Sequence, residues 1–300
     1  MTKVVVDLFA GPGGFDTGLR MAGFTGTLLG WELDPMACAT ARAAGHLRLQ
    51  GDVTAQRLDR VVPGAVFGLL VSPPCKDWST TGSGLGEAGT TGALIREALR
   101  WALALMPTWT VWECTPNPGV LARFREDAET LRAAGYAVWV GVLHASDYGV
   151  PSTRKRAFLI ARRGWLLDVR PPAPTHAEPV SMAEALGWDG AVLVSNYGTG
   201  GDASRRGRRT MDQPAFTMTG KCCRNRWEWP DGRTRNLTPA EAGVLQSFPR
   251  DYPWQGGSTA VQQQIGDAVP PRLAAAVCKP LVAMPRVSLT PLSIGGTFAV

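Results

Sequence analysis

The apolar run Val66-Phe67-Gly68-Leu69-Leu70-Val71 stops abruptly at Ser72-Pro73-Pro74, and Cys75 follows at once. A continuous apolar run of that length fits a strand buried on both faces, the habit of parallel sheets covered by helices. Proline fixes its own φ and biases the preceding residue towards extended geometry, so Pro73-Pro74 makes a stiff turn. Cys75 is thereby expected at the carboxyl end of a sheet strand, where open α/β folds bind ligands. Lys76 beside it favours the thiolate, the nucleophilic form. A half-buried structural thiol is the plainer account of any single cysteine. The rest of the chain decides between the two.

Upstream, Val4-Val5-Val6-Asp7-Leu8-Phe9 reads as a buried strand, followed by Ala10-Gly11-Pro12-Gly13-Gly14 and a helical spacing of Phe15, Leu19 and Met21-Ala22. Strand, glycine turn and helix form the first unit of a nucleotide-binding α/β fold. The glycines let backbone approach a ligand, and the helix start offers free N–H groups. The turn lacks the G-x-G-x-x-G spacing, so a dinucleotide is not favoured. Thr27–Glu32 is a second strand ending in an acid, placed where ribose hydroxyls are bound, and Trp31 can cover one face of an adenine. Asp52 ends a third strand and suits an adenine amino group. Two acids on successive strand ends after a glycine turn point to a nucleoside pocket.

Further along, 80–92 is long and glycine-rich and reads as a loop that closes on substrate. Leu94 to Met106 fits an amphipathic crossover helix, and Trp109-Thr110-Val111-Trp112 a buried strand ended by Glu113. A helix is expected from Arg123 to Ala134. Strands at 137–143 and 157–161 bracket Arg154 and Arg156. Pro171-Pro172-Ala173-Pro174 reads as a linker. From there to Trp254 the pattern is irregular, with Gly198-Thr199-Gly200-Gly201, the basic run Arg205-Arg206-Gly207-Arg208-Arg209, and Trp227 and Trp229. An apolar helix from Pro270 to Met284 follows, and no periodicity is visible after Pro285.

These landmarks resemble the ordered motifs of the DNA (cytosine-5)-methyltransferases. The resemblance is carried by Phe9-Ala10-Gly11-Pro12-Gly13-Gly14, Glu32, Asp52, Pro73-Pro74-Cys75, Val111-Trp112-Glu113-Cys114 and Pro151-Ser152-Thr153-Arg154-Lys155-Arg156. It continues through Arg235–Glu241 with Leu245-Gln246-Ser247-Phe248-Pro249, and closes with Gln264-Ile265-Gly266-Asp267-Ala268-Val269-Pro270-Pro271. It implies a Rossmann-like α/β sheet with helices on both faces plus a small, irregular target-recognition domain. The catalytic domain is expected to be discontinuous, 1–168 and 258–300, with 169–257 as recognition domain and hinge.

The implied reaction is methyl transfer from S-adenosyl-L-methionine to C5 of cytosine in double-stranded DNA, on a base flipped out of the helix. Cys75 is the implied nucleophile at C6, Glu113 the group that supplies a proton or hydrogen bond at N3, and Arg154 and Arg156 the cations steadying O2 and a neighbouring phosphate. The implied cofactor residues are Phe9, Gly11, Gly13, Gly14, Trp31, Glu32, Asp52, Pro73, Asp267 and Ala268; no metal is required. Three positions depart from the family pattern: Ser152 stands where a Gln is usual, Asp267 where an Asn is usual, and Cys114-Thr115-Pro116 follows Glu113 in place of Asn-Val.

Composition fits this reading. A net charge of +6 over 300 residues suits a polyanionic partner, although a modest excess of base is often only a solvated surface. No signal peptide opens the chain and no apolar run approaches a membrane span, so a cytoplasmic enzyme is expected. The six cysteines include no C-x-x-C pair, which points to reduced thiols rather than a disulfide or zinc framework. A monomer is expected, functionally paired with a restriction endonuclease. An RNA cytosine methyltransferase, a catalytically silent DNA-binding protein of the same fold, and transfer of a modified one-carbon group stay open at this stage.

Overall fold

The structure, a computed structural model, describes residues 2–58, 64–74, 76–78, 84–164, 169–196 and 202–283. Five strands and four helices alternate through the first half: β1 (Val4–Leu8), α1 (Gly14–Met21), β2 (Thr27–Glu32), α2 (Pro35–Ala43), β3 (Leu47–Gln50), β4 (Gly68–Val71), α3 (Arg96–Leu105), β5 (Trp109–Cys114) and α4 (Pro118–Ala133). β6 (Tyr136–His144) and β7 (Lys155–Arg163) complete a seven-stranded sheet of order β3-β2-β1-β4-β5-β7-β6. β1 to β5 run parallel, and β7 is antiparallel to both β5 and β6. After β3 the chain crosses back over β1 to lay down β4. The β1/β4 gap is therefore the topological switch point, where open α/β sheets bind ligands.

Period-2 alternation sends Val5, Leu70, Val111 and Phe158 to one face, under α1 and a helix from late in the chain. Val6, Leu69, Trp112 and Leu159 go to the other face, under α3 and α4. Helices thus cover both faces, as the run at 66–71 implies. β3 at the sheet's edge inverts the usual pattern: Leu47 and Leu49 face solvent at 58% and 42% exposure, while Arg48 is 5% exposed. The cause is a partner across the sheet. Arg48 Nη2 reaches Asp16 of α1 at 2.8 Å, passing over Gly30, where any Cβ would collide with the guanidinium. A buried charge is tolerated only when paired in this way.

The second half forms a smaller unit: α5 (Met182–Leu186), β8 (Val192–Val194), β9 (Arg208–Thr210), β10 (Arg226–Glu228), β11 (Thr234–Asn236), α6 (Pro239–Leu245) and α7 (Ser258–Asp267). Its strands make an antiparallel sheet of order β11-β10-β8-β9. The region is therefore not irregular. Its strands are three residues long, too short to print a periodic pattern. Its core gathers Met182, Leu193, Met218, Trp227 and Leu245 and also takes Val261 and Ile265 of α7. α7 thus packs with the small unit, although the sequence reading groups everything from 258 with the large domain. α8 (Pro271–Val282) returns to the large sheet and packs on α1 through Leu273, Ala274 and Val277.

Other boundaries shift for local reasons. α4 starts at Pro118, five residues before the expected Arg123, because Asn117 caps it and Pro118 occupies its first turn. The crossover helix expected from Leu94 begins as a 3-10 turn, Gly92–Ile95, before α3. The segments 197–201 and 284–300, which hold the glycine run and the end of the chain, lie outside the described residues.

Candidate active site

At the switch point the chain leaves β1 through Phe9 and Gly11, both in the left-handed region (φ 56° and 53°), and Gly13 at φ 107°. A non-glycine residue held there costs roughly 1–3 kcal/mol and marks a conformation that the surroundings enforce. Ser72 does part of that enforcing: its backbone N–H donates to Leu8 O and its hydroxyl to Phe9 O, each at 3.2 Å. The ends of β1 and β4 are thereby laced together. A Cβ on Gly11 would meet nothing within 4 Å, so this part of the turn opens onto free space. One on Gly13 would crowd His46 and Tyr252, and one on Gly14 would run into the Val269 carbonyl. Tyr252 fixes the turn from outside by donating its hydroxyl to Pro12 O at 2.5 Å.

Glu32, at the end of β2, points into the same opening. Its Oε2 accepts from Gly11 N at 2.8 Å and its Oε1 from Asp34 N at 2.8 Å. Trp31 lies half-buried against Trp101, with ring centroids 5.6 Å apart. Asp52, after β3, is exposed; its Oδ1 accepts from both the N–H and the hydroxyl of Thr54 at 2.8 Å. These bonds hold its carboxyl below its ordinary pKa and the residue charged. Glu32 is joined to the glycine turn through Gly11 and to the residue before Asp52 through Gly51 N, which donates to Glu32 O at 2.9 Å, and Pro73 is buried at the end of β4.

The second part of the site is the end of β5. Glu113 is 3% exposed, and Arg156 at the start of β7 places its Nε 2.8 Å from Glu113 Oε1. Burial pushes the Glu113 carboxyl above its ordinary pKa and Asp267 adds to the rise, while Arg156 and Arg154 pull it back. A carboxyl so placed keeps its proton to higher pH than an exposed one does.

Arg154 and Arg156 are expected to act together, but the structure divides them. Arg154 is 1% exposed; its Nη1 donates to Met218 O at 2.9 Å and its Nη2 to Gly266 O and Ala268 O at 2.8 and 3.1 Å. It closes the carboxyl end of α7 and joins that end to the segment after β9. Its guanidinium hydrogen-bonds to these main-chain carbonyls, whereas Arg156 makes the 2.8 Å ion pair with the acid. Ala268, expected to touch cofactor, presents its carbonyl to Arg154 and to Gln246 Nε2 (3.0 Å). Asp267 is exposed and accepts from Gln263 Nε2 at 2.6 Å. Ser152 is buried and forms an isolated parallel bridge with Ala215, so this departure from the family pattern lies where the two units meet.

Cys75 lies outside the described residues, as do 79–83. Residues 76–78 form a 3-10 turn, and the expected loop contains two more, Gly86–Ala88 and Gly92–Ile95. Of the basic run, Arg208 pairs with Glu228 (2.8 Å), and Arg209 donates to Pro214 O and Ala215 O (2.6 and 2.8 Å). Cys38, Cys114, Cys222, Cys223 and Cys278 are buried and carry no disulfide. Among the described residues, no cluster of three or more His, Cys, Asp or Glu is arranged to hold a metal, and no helix is long and apolar enough to cross a membrane. Sequence reasoning missed Ser72, Asp77, Asn117 and Tyr252. Asn117 alone carries a signal, an Asn-Pro pair at a helix start.

Fold and site together define an α/β methyltransferase of the Rossmann-like type. A family model for C-5 cytosine-specific DNA methylases matches residues 4–184 and 187–283. The type II methyltransferase M1.HphI of Haemophilus parahaemolyticus is 30% identical over 338 residues, covering 95% of this chain and 88% of its own. M.AplI of Arthrospira platensis, also a type II methyltransferase, is 31% identical, covering 92% and 84%. Among solved structures, the Schizosaccharomyces pombe Dnmt2 methyltransferase superposes with a TM-score of 0.69 at 13% identity, covering 93% of this chain and 98% of that one. The chain belongs to the C-5 cytosine-specific DNA methylases. It is an enzyme that methylates DNA cytosine at C5.

Proposed function

We propose that the protein modifies cytosine within a specific double-stranded DNA sequence by covalent addition of Cys75 to C6 of a flipped base. The buried Glu113–Arg156 pair carries this reading, because an acid with a raised pKa and a fixed cation meet where the end of β5 adjoins the start of β7. Cytosine C5 is a poor nucleophile until a thiolate adds at C6 and turns the ring into an enamine. Negative charge then grows on the ring. Glu113, with its pKa raised, supplies the proton or hydrogen bond at N3, and Arg156 keeps the carboxyl oriented while facing the developing charge. Arg154 holds the two units around this site rather than touching the base. Loss of the C5 proton to water and expulsion of Cys75 complete the cycle.

The pocket at the switch point fits S-adenosyl-L-methionine. Gly11 opens onto free space beside Glu32, the acid for the ribose hydroxyls, and Asp52 stands charged and exposed for the adenine amino group. Phe9, Gly13, Gly14, Trp31, Pro73 and Asp267 are the further residues this reading assigns to the cofactor. When bound, this cofactor supplies an electrophilic methyl group. The type II names of the relatives support a restriction–modification setting; in this reading the enzyme works as a cytoplasmic monomer that protects DNA from a paired endonuclease.

The test uses target DNA carrying 5-fluorocytosine. Fluorine cannot leave C5 as a cation, so the adduct with Cys75 should persist on a denaturing gel and should require the methyl donor. Cys75→Ser should abolish trapping and methylation while leaving DNA binding intact, because a serine hydroxyl is far less ionised than a thiol. Substantial turnover by that variant, or an adduct on Cys114 or Cys38, would refute the mechanism.

A further inference from the structure

The turn at 76–78 follows directly on Cys75 in sequence and is fastened from two sides. Asp77 is 8% exposed, and its Oδ2 accepts three hydrogen bonds: from Thr91 N (2.8 Å), the Thr91 hydroxyl (2.7 Å) and Gly92 N (3.1 Å). Trp78 Nε1 donates to Gly92 O at 3.2 Å. A Cβ on Gly89 would collide with the Asp77 carboxyl, so the two segments close without a gap.

The other fastening runs to the acid. Asn117 Nδ2 donates to Trp78 O at 2.7 Å, and Asn117 Oδ1 accepts from Gly119 N at 2.7 Å as the cap of α4. The Trp78 ring lies against Gly119, where a Cβ would come within 2.5 Å of it. α4 is the helix that follows β5, and Glu113 is the penultimate residue of β5. Arg123 of α4 adds a contact to Glu87 at 3.5 Å, and Glu87 also pairs with Arg96 at 2.6 Å. Both flanks of the segment 79–83 are thus moored on the helix that continues from the acid. This mooring lies just past Cys114-Thr115-Pro116, where the chain departs from the family pattern.

We propose that Asp77 and Asn117 are positioning residues for methyl transfer: one amide both caps the helix that follows Glu113 and holds the turn that follows Cys75 in sequence, so that acid and turn share one mooring. The inference rests on the assignment of Cys75 and Glu113 above. Asn117 has two separable jobs, an acceptor for the helix and a donor for the turn. Serine and aspartate both cap helices, but aspartate lacks the donor and serine is too short to supply it. Near-attack geometry is steep in distance, and a displacement of about 1 Å can cost roughly a hundredfold in rate.

The experiment compares Asn117→Ser, Asn117→Asp, Asp77→Asn and Asp77→Ala in single-turnover trapping on 5-fluorocytosine DNA with saturating methyl donor. Both Asn117 variants should keep wild-type melting temperature, DNA affinity and KM for the donor, yet trap about 10-fold to 100-fold more slowly. Asp77→Asn keeps an oxygen acceptor for Thr91 and Gly92 and should retain far more rate than Asp77→Ala. A wild-type trapping rate in Asn117→Ser would overturn the proposal, as would a rate loss matched by lost melting temperature or DNA affinity. If Cys75→Ser is dead while Asn117→Ser is unaffected, the positioning role fails and the assignment of the nucleophile stands. If Cys75→Ser turns over, the assignment fails and the positioning role falls with it.

Discussion

Replacing Arg154 with Ala removes a buried guanidinium that donates to the carbonyls of Met218, Gly266 and Ala268. Ala268 O keeps its bond from Gln246 Nε2 at 3.0 Å, but Met218 O and Gly266 O lose this donor. Gly266 O sits in the last turn of α7, and the residue four places on is Pro270, which has no N–H to offer. Two stranded carbonyls at about 1–3 kcal/mol each give about 2–6 kcal/mol. Relief of the guanidinium's own desolvation draws the total down, so a loss of about 3 kcal/mol is expected. That is a fifth or more of a typical stability of about 5–15 kcal/mol. Arg154→Lys, a point charge without the planar fork, should recover part of the loss. Urea denaturation followed by tryptophan fluorescence measures both, and methylation assays run in parallel. A variant that denatures like wild type but cannot methylate would refute the reasoning and return Arg154 to the base.

Three further outcomes are expected. Glu113 has a raised folded-state pKa, so it contributes stability that is full below its unfolded pKa and is lost as pH rises through the folded value. Glu113→Gln should therefore gain stability over wild type in thermal melts as pH rises above the ordinary carboxyl range, while trapping slows severely, and wild-type trapping should fall as pH rises through the raised folded value. Asp52→Ala should weaken S-adenosyl-L-methionine binding about tenfold by calorimetry with DNA affinity unchanged; equal affinity for the cofactor would contradict the pocket assignment. Arg205→Ala with Arg206→Ala should lower the salt slope of DNA binding by about two units and leave the modified sequence unchanged. An unaltered slope would make that stretch a solvated turn.

The large sheet is legible in the sequence because its strands are continuous apolar runs punctuated by glycine, proline and acid. Phe9–Gly14, Glu32, Asp52 and Glu113 sit on strand ends, and the sheet order β3-β2-β1-β4-β5 lays them out as Asp52, Glu32, the glycine turn and Glu113. The rest turns on partners distant in sequence. Arg154 and Arg156 are two apart and share a face by strand parity, so nothing local says that one meets carbonyls and the other an acid. The Leu-Arg-Leu-Gln of β3 reads as leucines inward until Asp16 is known to draw Arg48 through the space Gly30 leaves. Asp77 is an unremarked turn residue until Thr91 and Gly92 fold back onto it.

The packing of α8 on α1 has a consequence for how the chain acquires its fold. A Cβ on Gly18 would strike Ala274 and the Pro271 carbonyl, a separation of more than 250 residues. Closure of that face is thus among the most non-local events available to the chain, and such contacts fold slowly. At synthesis rates of about 5–20 residues per second, Phe15 and Leu19 wait roughly 12–50 s on the ribosome before their cover emerges. During that interval the growing chain carries an uncovered apolar stripe beside a half-built sheet, the kind of surface that chaperones bind. Truncations that remove α8 should therefore aggregate during expression rather than accumulate as a stable amino-terminal fragment.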